Sequence, residues 1–140
     1  MSDDEVRAFI GGQLARTAKL ATVRKDGRPH VAPIWVALDD DGSLWFTTGA
    51  DTLKGKTIVR EPRVSLCFDD DRPPFAFVVI EGEAEVVHDD DLRLAWATTL
   101  GGRYMGADQA ESYGRRNAVP GELLVKVTPT STVALKDIAD

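Results

Sequence analysis

The chain has 140 residues, 43% of them hydrophobic and 29% charged, a composition that supports a packed core and excludes wholesale disorder. Its 17 Lys and Arg against 23 Asp and Glu leave a net charge of −6, which excludes a generally basic nucleic-acid-binding surface. The only cysteine, Cys67, excludes an intrachain disulfide and a multi-cysteine zinc centre.

No apolar run approaches the roughly 18 residues of a membrane span, and the acidic start Met1-Ser2-Asp3-Asp4-Glu5 is unlike a secretion signal. A soluble, cytoplasmic, single domain over residues 1–140 is the expectation. Ser2-x-x-Glu5 has the form of a capping box, and Val6, Phe9, Ile10 and Leu14 follow at helical spacing, predicting a helix over residues 3–14. Residues 20–23 read as a strand, and Lys25-Asp26-Gly27-Arg28 carries the Asp-Gly signal of a hairpin. One strand is predicted over residues 30–38, at an edge or bulged, because Pro33 cannot donate to a ladder. A turn at residues 39–42 leads to a third strand over residues 44–48, and Asp51 caps a short helix over residues 52–60 that Pro62 ends.

A fourth strand covers residues 64–68, followed by an acidic loop with Pro73 and Pro74. The longest strand, residues 75–87, shows Glu81, Glu83 and Glu85 alternating with small or apolar residues, and Gly82 suggests a bulge. Residues 90–117 are helical in pattern with a break near Gly101-Gly102. A last strand covers residues 123–127, with residues 132–135 a possible addition. The three Asp triplets (39–41, 69–71, 89–91) fall between elements and read as solvated tips or helix starts, since none has calcium-ligand spacing. Five or six mostly antiparallel strands with short helical insertions predict a mainly β, closed or partly closed barrel.

Most chemical signatures are missing: there is no glycine-rich phosphate loop and no nucleophile elbow. His88 reads as solvated and Cys67 as a small core residue. His30 shares a face with Ala32, Ile34 and Val36, which suits a structural role or a ligand contact. The stretch Phe46-Thr47-Thr48-Gly49-Ala50-Asp51-Thr52-Leu53-Lys54-Gly55-Lys56-Thr57 differs. A strand there delivers two hydroxyls, a glycine and then two lysines at a strand-to-helix corner, where amides, hydroxyls and ammonium groups together can hold an anion. On a regular helix Lys54 and Lys56 diverge, so both reach one phosphate only if the first turn is irregular. An ordinary surface helix is the other reading of these residues.

Leu20-Ala21-Thr22-Val23, Asp26-Gly27-Arg28-Pro29, Thr47-Thr48, Lys54-Gly55-Lys56, Arg60-Glu61-Pro62-Arg63-Val64-Ser65-Leu66 and Glu81-Gly82, in this order, resemble the split-barrel superfamily named for pyridoxamine 5′-phosphate oxidase. Within it, the chain is most similar to small actinobacterial oxidoreductases that use the deazaflavin coenzyme F420. The resemblance spans residues 8–130. It implies a six-stranded split barrel, homodimeric, with the cofactor in a cleft between protomers. It further implies that Lys54 and Lys56 hold the cofactor phosphate, and that Thr47 and Thr48 flank the ribityl chain. Pro33, Ile34 and Trp35 would wall the ring, with Phe75 and Phe77 contributed by the second protomer.

The implied chemistry is hydride transfer between coenzyme F420 and a small conjugated organic substrate, with no metal, no nucleic acid and no membrane, and with His30 as a candidate proton donor. FMN is the alternative cofactor, and a non-catalytic flavin- or haem-binding protein or a plain interaction module are the other classes. Members that oxidise pyridoxamine phosphate carry a C-terminal Arg and His, whereas this chain ends Val133-Ala134-Leu135-Lys136-Asp137-Ile138-Ala139-Asp140. That activity is therefore not expected. A polyglutamate tail would favour added positive charge at the cleft mouth, for which Arg60 and Arg28 are candidates.

Overall fold

The computed structural model describes residues 1–140. In chain order the elements are α1 (Asp3–Gly11), β1 (Ala18–Val23), β2 (Pro29–Ile34), β3 (Ala37–Leu38), β4 (Leu44–Gly49), α2 (Leu53–Arg60), β5 (Arg63–Asp70), β6 (Ala76–Val87), α3 (Asp90–Met105), a 3-10 turn (Ala107–Gln109), α4 (Ala110–Asn117) and β7 (Glu122–Leu135). All seven strands form one antiparallel sheet in the order β2-β1-β5-β6-β7-β4-β3.

The single strand predicted over residues 30–38 is in fact two, and they lie at opposite ends of that order. β2 pairs with β1 and β3 pairs with β4, yet only Trp35 and Val36 separate them. Two edges joined by two residues must lie close together, so the sheet curls upon itself. This also reconciles seven hydrogen-bonded segments with the six-stranded expectation: one bent stretch serves both edges of a split barrel. Curling in this way removes exposed edges, the general reason for closure in antiparallel sheets.

The interior is filled by the alternating inward residues, among them Leu20, Leu66, Phe68, Val78, Ile80, Leu44, Phe46, Val125 and Val127, all buried. Each fully buried Phe or Leu contributes on the order of 1.5–3 kcal/mol. α1 closes one end through buried Ile10, and its capping box forms as expected between Ser2 and Glu5. The helix stops at Gly11, short of the predicted Leu14, because the following turn is held by Arg103, whose guanidinium donates to the carbonyls of Ile10 and Gly12 at 3.0 and 2.6 Å.

Other boundaries differ for identifiable reasons. Thr52, and not Asp51, caps α2: its hydroxyl accepts from the Gly55 amide at 3.1 Å and donates to the Gly49 carbonyl at 2.7 Å. Phe75 lies outside the strand with φ of 65°, and β6 begins at Ala76. Asp69 and Asp70 extend β5 by pairing with Phe77 and Ala76, so that triplet is not wholly a loop. α3 runs through Gly101-Gly102 and ends at Gly106, whose φ of 105° suits glycine alone. Gly101 instead admits α4, since a Cβ there would meet the Tyr113 Cβ at 2.6 Å. β7 continues past Pro129 because the β6–β7 register shifts at Glu81/Gly82, with Thr130 as the extra residue. The bulge predicted at Gly82 is thus present, and it accommodates the proline within the strand.

Candidate functional site

The β4–α2 corner is built by close approach. Thr52 ties the end of β4 to the first turn of α2, and Thr48 Oγ1 lies 3.2 Å from Thr52 Oγ1. A Cβ on Gly55 would collide with the Gly49 carbonyl, so only glycine lets the helix seat this tightly on the strand. α2 is a regular helix over Leu53–Arg60, not the irregular turn that would aim both lysines one way. Lys54 therefore faces the barrel while Lys56 stands exposed on another side.

Facing Lys54 is the crossover from β2 to β3. Trp35 is fixed there by two aromatic rings. Tyr104 of α3 stacks on it with centroids 5.3 Å apart, and Tyr113 of α4 meets it edge-on at 5.7 Å. The Tyr104 hydroxyl donates to the Arg16 carbonyl at 2.7 Å and lies 3.2 Å from the Val36 amide, which it can accept. Arg116, near the end of α4, lies over the Tyr113 ring at 5.3 Å.

These elements enclose a cleft of about 330 Å³ lined by Pro33, Ile34, Trp35, Thr47, Thr48, Gly49, Lys54, Leu100, Arg116, Asn117 and Glu122. Its volume falls at the lower end of small-molecule sites. Six of the nine cofactor-binding residues expected from sequence meet here: Pro33, Ile34, Trp35, Thr47, Thr48 and Lys54. Lys56, Phe75 and Phe77 do not line it, Phe75 lying just before β6 and Phe77 near its start.

His30 does not line the cleft either. It lies four residues before Ile34 on the inward face of β2, opposite Thr22, with Nδ1 buried and without a hydrogen-bond partner. The proton-donor role expected of it has no geometric support within this chain. His88 is exposed, as expected. Burial, followed by the nearby Asp69 carboxylate, pushes the Cys67 thiol above its ordinary value, which suits an unreactive side chain.

The residues that sequence reasoning missed all come from the helical excursion and the strand after it: Leu100, Arg116, Asn117 and Glu122. Arg115-Arg116 is a visible basic pair, yet nothing local says that α4 folds back onto β4. Neither Lys54 nor Arg116 takes part in any of the chain's ion pairs. Two uncommitted cations, threonine hydroxyls and an indole in one cleft form a donor set for an anionic, partly aromatic molecule.

A profile of the pyridoxamine 5′-phosphate oxidase family matches residues 2–135. The chain belongs to this family. Among solved structures, a conserved hypothetical protein of Mycobacterium tuberculosis is 28% identical, with a TM-score of 0.85 over 98% of this chain and 86% of the other. An F420 reductase is 27% identical, with a TM-score of 0.70 over 91% and 94% of the two chains. The haem storage protein of Vibrio cholerae, 18% identical, shares the fold with a TM-score of 0.73 over 94% and 92%. No curated protein matches the chain. Family membership agrees with the split barrel described above, and the family's structural relatives range from a reductase to a haem store. No helix is long and apolar enough to cross a membrane.

Proposed function

We propose that this family member is an F420-dependent oxidoreductase acting on a small conjugated organic substrate. The observation that carries this reading is the cleft itself, which places the Trp35 wall and the uncommitted Lys54 and Arg116 cations together. The similarity to an F420 reductase over 91% of the chain supports the choice of coenzyme.

When bound, the deazaflavin supplies a hydride to the substrate. The chain's own residues bind and orient. Lys54 and Arg116 hold the phosphate, Thr47 and Thr48 flank the ribityl chain, and Pro33, Ile34 and Trp35 pack against the ring. Buried Leu100 adds an apolar side to the cleft lining. Lys56 contributes through its charge from outside the cleft. Phe75 and Phe77 complete the site from a second protomer: Phe75 just precedes β6 and Phe77 pairs with Leu135 of β7, which with Val133 is exposed and forms an apolar outer face suited to a homodimer.

FMN is the second reading, because it offers the same anion, chain and tricyclic ring to the same groups. Mixing the purified protein with F420 and following coenzyme fluorescence tests the first reading. Saturable quenching, together with oxidation of the reduced coenzyme by enones or quinones, is the expected result. A yellow protein with tightly bound FMN and no response to F420 replaces it with the second. Binding without turnover of any acceptor makes the protein a carrier, and no response to either ligand makes it an interaction module.

A further inference from the structure

We propose that Glu122 tunes the charge of the anion subsite, offsetting Lys54 and Arg116 so that the cleft favours a doubly charged phosphomonoester over a singly charged phosphodiester less than the two cations alone would. The inference rests on the reading that the cleft holds a ribityl-phosphate coenzyme. Three ionisable side chains line the cleft: Lys54 from α2, Arg116 from α4 and Glu122 from the first position of β7. A monoester carries nearly two negative charges above its second pKa of about 6, a diester one. The two cations attract each of those charges and the carboxylate repels each, so removing the carboxylate strengthens monoester binding more than diester binding.

Glu122 earns no place in the fold by pairing. It is half-buried, its carboxylate takes part in none of the chain's ion pairs, and no hydrogen bond reaches its side-chain oxygens. A desolvated carboxylate without a partner weakens a fold, so a glutamine would serve the architecture better. Burial accordingly pushes its carboxyl up, opposed by Lys54. Two further charges act on it, Asp51 opposing its ionisation and Arg93 favouring it. Arg93 of α3 is held by Asp90 at 3.3 Å and by the Glu122 carbonyl at 3.2 Å. Asp51, before α2, is exposed, and His88, Asp89 and Asp90 lie in the adjoining hollow on the far side of Glu122. The ionisable side chains that line the cleft itself are Lys54, Arg116 and Glu122.

The phosphate of the deazaflavin coenzyme is a diester, joining the ribityl chain to a lactyl group, whereas that of FMN is a terminal monoester. Glu122 thus weighs more heavily against FMN than against the deazaflavin coenzyme, two ligands that the ring wall and hydroxyls treat alike. The test uses FMN and its methyl ester, which share ring and chain and differ by one charge at phosphorus. At pH 8 the ratio of FMN affinity to methyl-ester affinity is expected to rise about tenfold in Glu122→Gln, the order expected when a carboxylate several ångströms from one additional unit charge is removed. Glu122→Asp is expected to retain the wild-type ratio. An unchanged or lower ratio in the Gln variant overturns the inference. The expected rise in a protein that neither binds nor oxidises reduced F420 leaves the inference standing and removes the deazaflavin reading. Binding of no flavin and no F420 removes both.

Discussion

The Trp35 indole lies flat on the Tyr104 ring, with planes 2° from parallel, and the hydroxyl of the same tyrosine bonds the main chain of Arg16 and Val36. One side chain from α3 therefore grips the β2–β3 crossover by both its face and its edge. This is the point where the barrel's two edges meet, and also the proposed ring wall. Tyr104→Phe keeps the stack and removes the hydrogen bonds, leaving buried main-chain groups unpaired. The expected cost is about 1–3 kcal/mol in urea unfolding, with a weaker near-UV circular dichroism signal from Trp35 and weaker binding of FMN or F420. Unchanged stability and binding would show that the crossover holds without the hydroxyl.

Lys54 and Arg116 approach the cleft from different helices, and neither is engaged by a carboxylate. Removing either charge by Lys54→Ala or Arg116→Ala is expected to weaken ligand binding by about 1.5–3 kcal/mol, roughly ten- to hundredfold. Lys56→Ala, on the exposed side of α2, is expected to weaken it by no more than about twofold, and that small effect is expected to vanish in high salt. Titration of each variant with F420, at low and at high ionic strength, checks the ordering. A larger loss for Lys56 than for Lys54 would place the anion outside the cleft.

Local patterns carried much of the fold. The Ser2–Glu5 capping box, the Asp26-Gly27 hairpin, the inward face of β2 and the bulge at Gly82 are all decided by residues within a few positions of one another. Where long-range contacts decide, local reading failed. Gly101-Gly102 looks like a helix breaker, yet α3 continues there because α4 packs against that face. The stretch holding Pro33 reads as one strand, and only the closed sheet shows that its halves belong to opposite edges. The site divides in the same way. Lys54, Thr47 and Thr48 stand on adjacent elements and were legible, whereas Arg116 and Glu122 reach them only through tertiary packing.

Gly55 and Gly114 are tight for steric reasons, with φ angles open to any residue. A Cβ on Gly55 would strike the Gly49 carbonyl, and one on Gly114 would strike Thr98 of α3. The two differ in what can yield. At Gly114 the nearest atom is a side-chain hydroxyl, although the Thr98 Cα stands only 3.1 Å away; at Gly55 the obstacle is backbone fixed within β4. Gly55→Ala is therefore expected to cost more, about 2–4 kcal/mol, and to displace Lys54 with loss of anion binding. Gly114→Ala is expected to cost about 1–3 kcal/mol, and Thr98→Ala in the same chain should recover part of it. Chemical denaturation of the two single variants and the Gly114/Thr98 double variant measures these costs. A Gly55→Ala variant with wild-type stability and affinity would mean that α2 need not sit against β4.

Two carboxylates have opposite effects on how stability depends on pH. The Glu5 carboxyl is held near 2, first by the Lys136 ammonium at the other end of the chain and then by the Ser2 amide, so it binds fewer protons folded than unfolded. Its contribution is present above the ordinary carboxylate range and is lost as pH falls from about 4.5 toward 2. Both partners are well exposed, so the effect is small and is screened by salt. Glu122 runs the other way. Burial raises its carboxyl, so the folded chain binds more protons than the unfolded chain between the ordinary and the raised value, and stability falls as pH rises through that window. Above the window the ionised carboxylate opposes folding; below it the penalty is gone. Glu122→Gln is thus expected to raise Tm at pH 8 and to leave it unchanged near pH 4, whereas Glu5→Gln lowers Tm slightly at pH 8 and has no effect near pH 2. Thermal melts of the two variants across that range separate the carboxylates. A Glu122→Gln variant less stable than the wild type at pH 8 would show that Glu122 makes a favourable contact in the fold, and its presence in the cleft would then be structural.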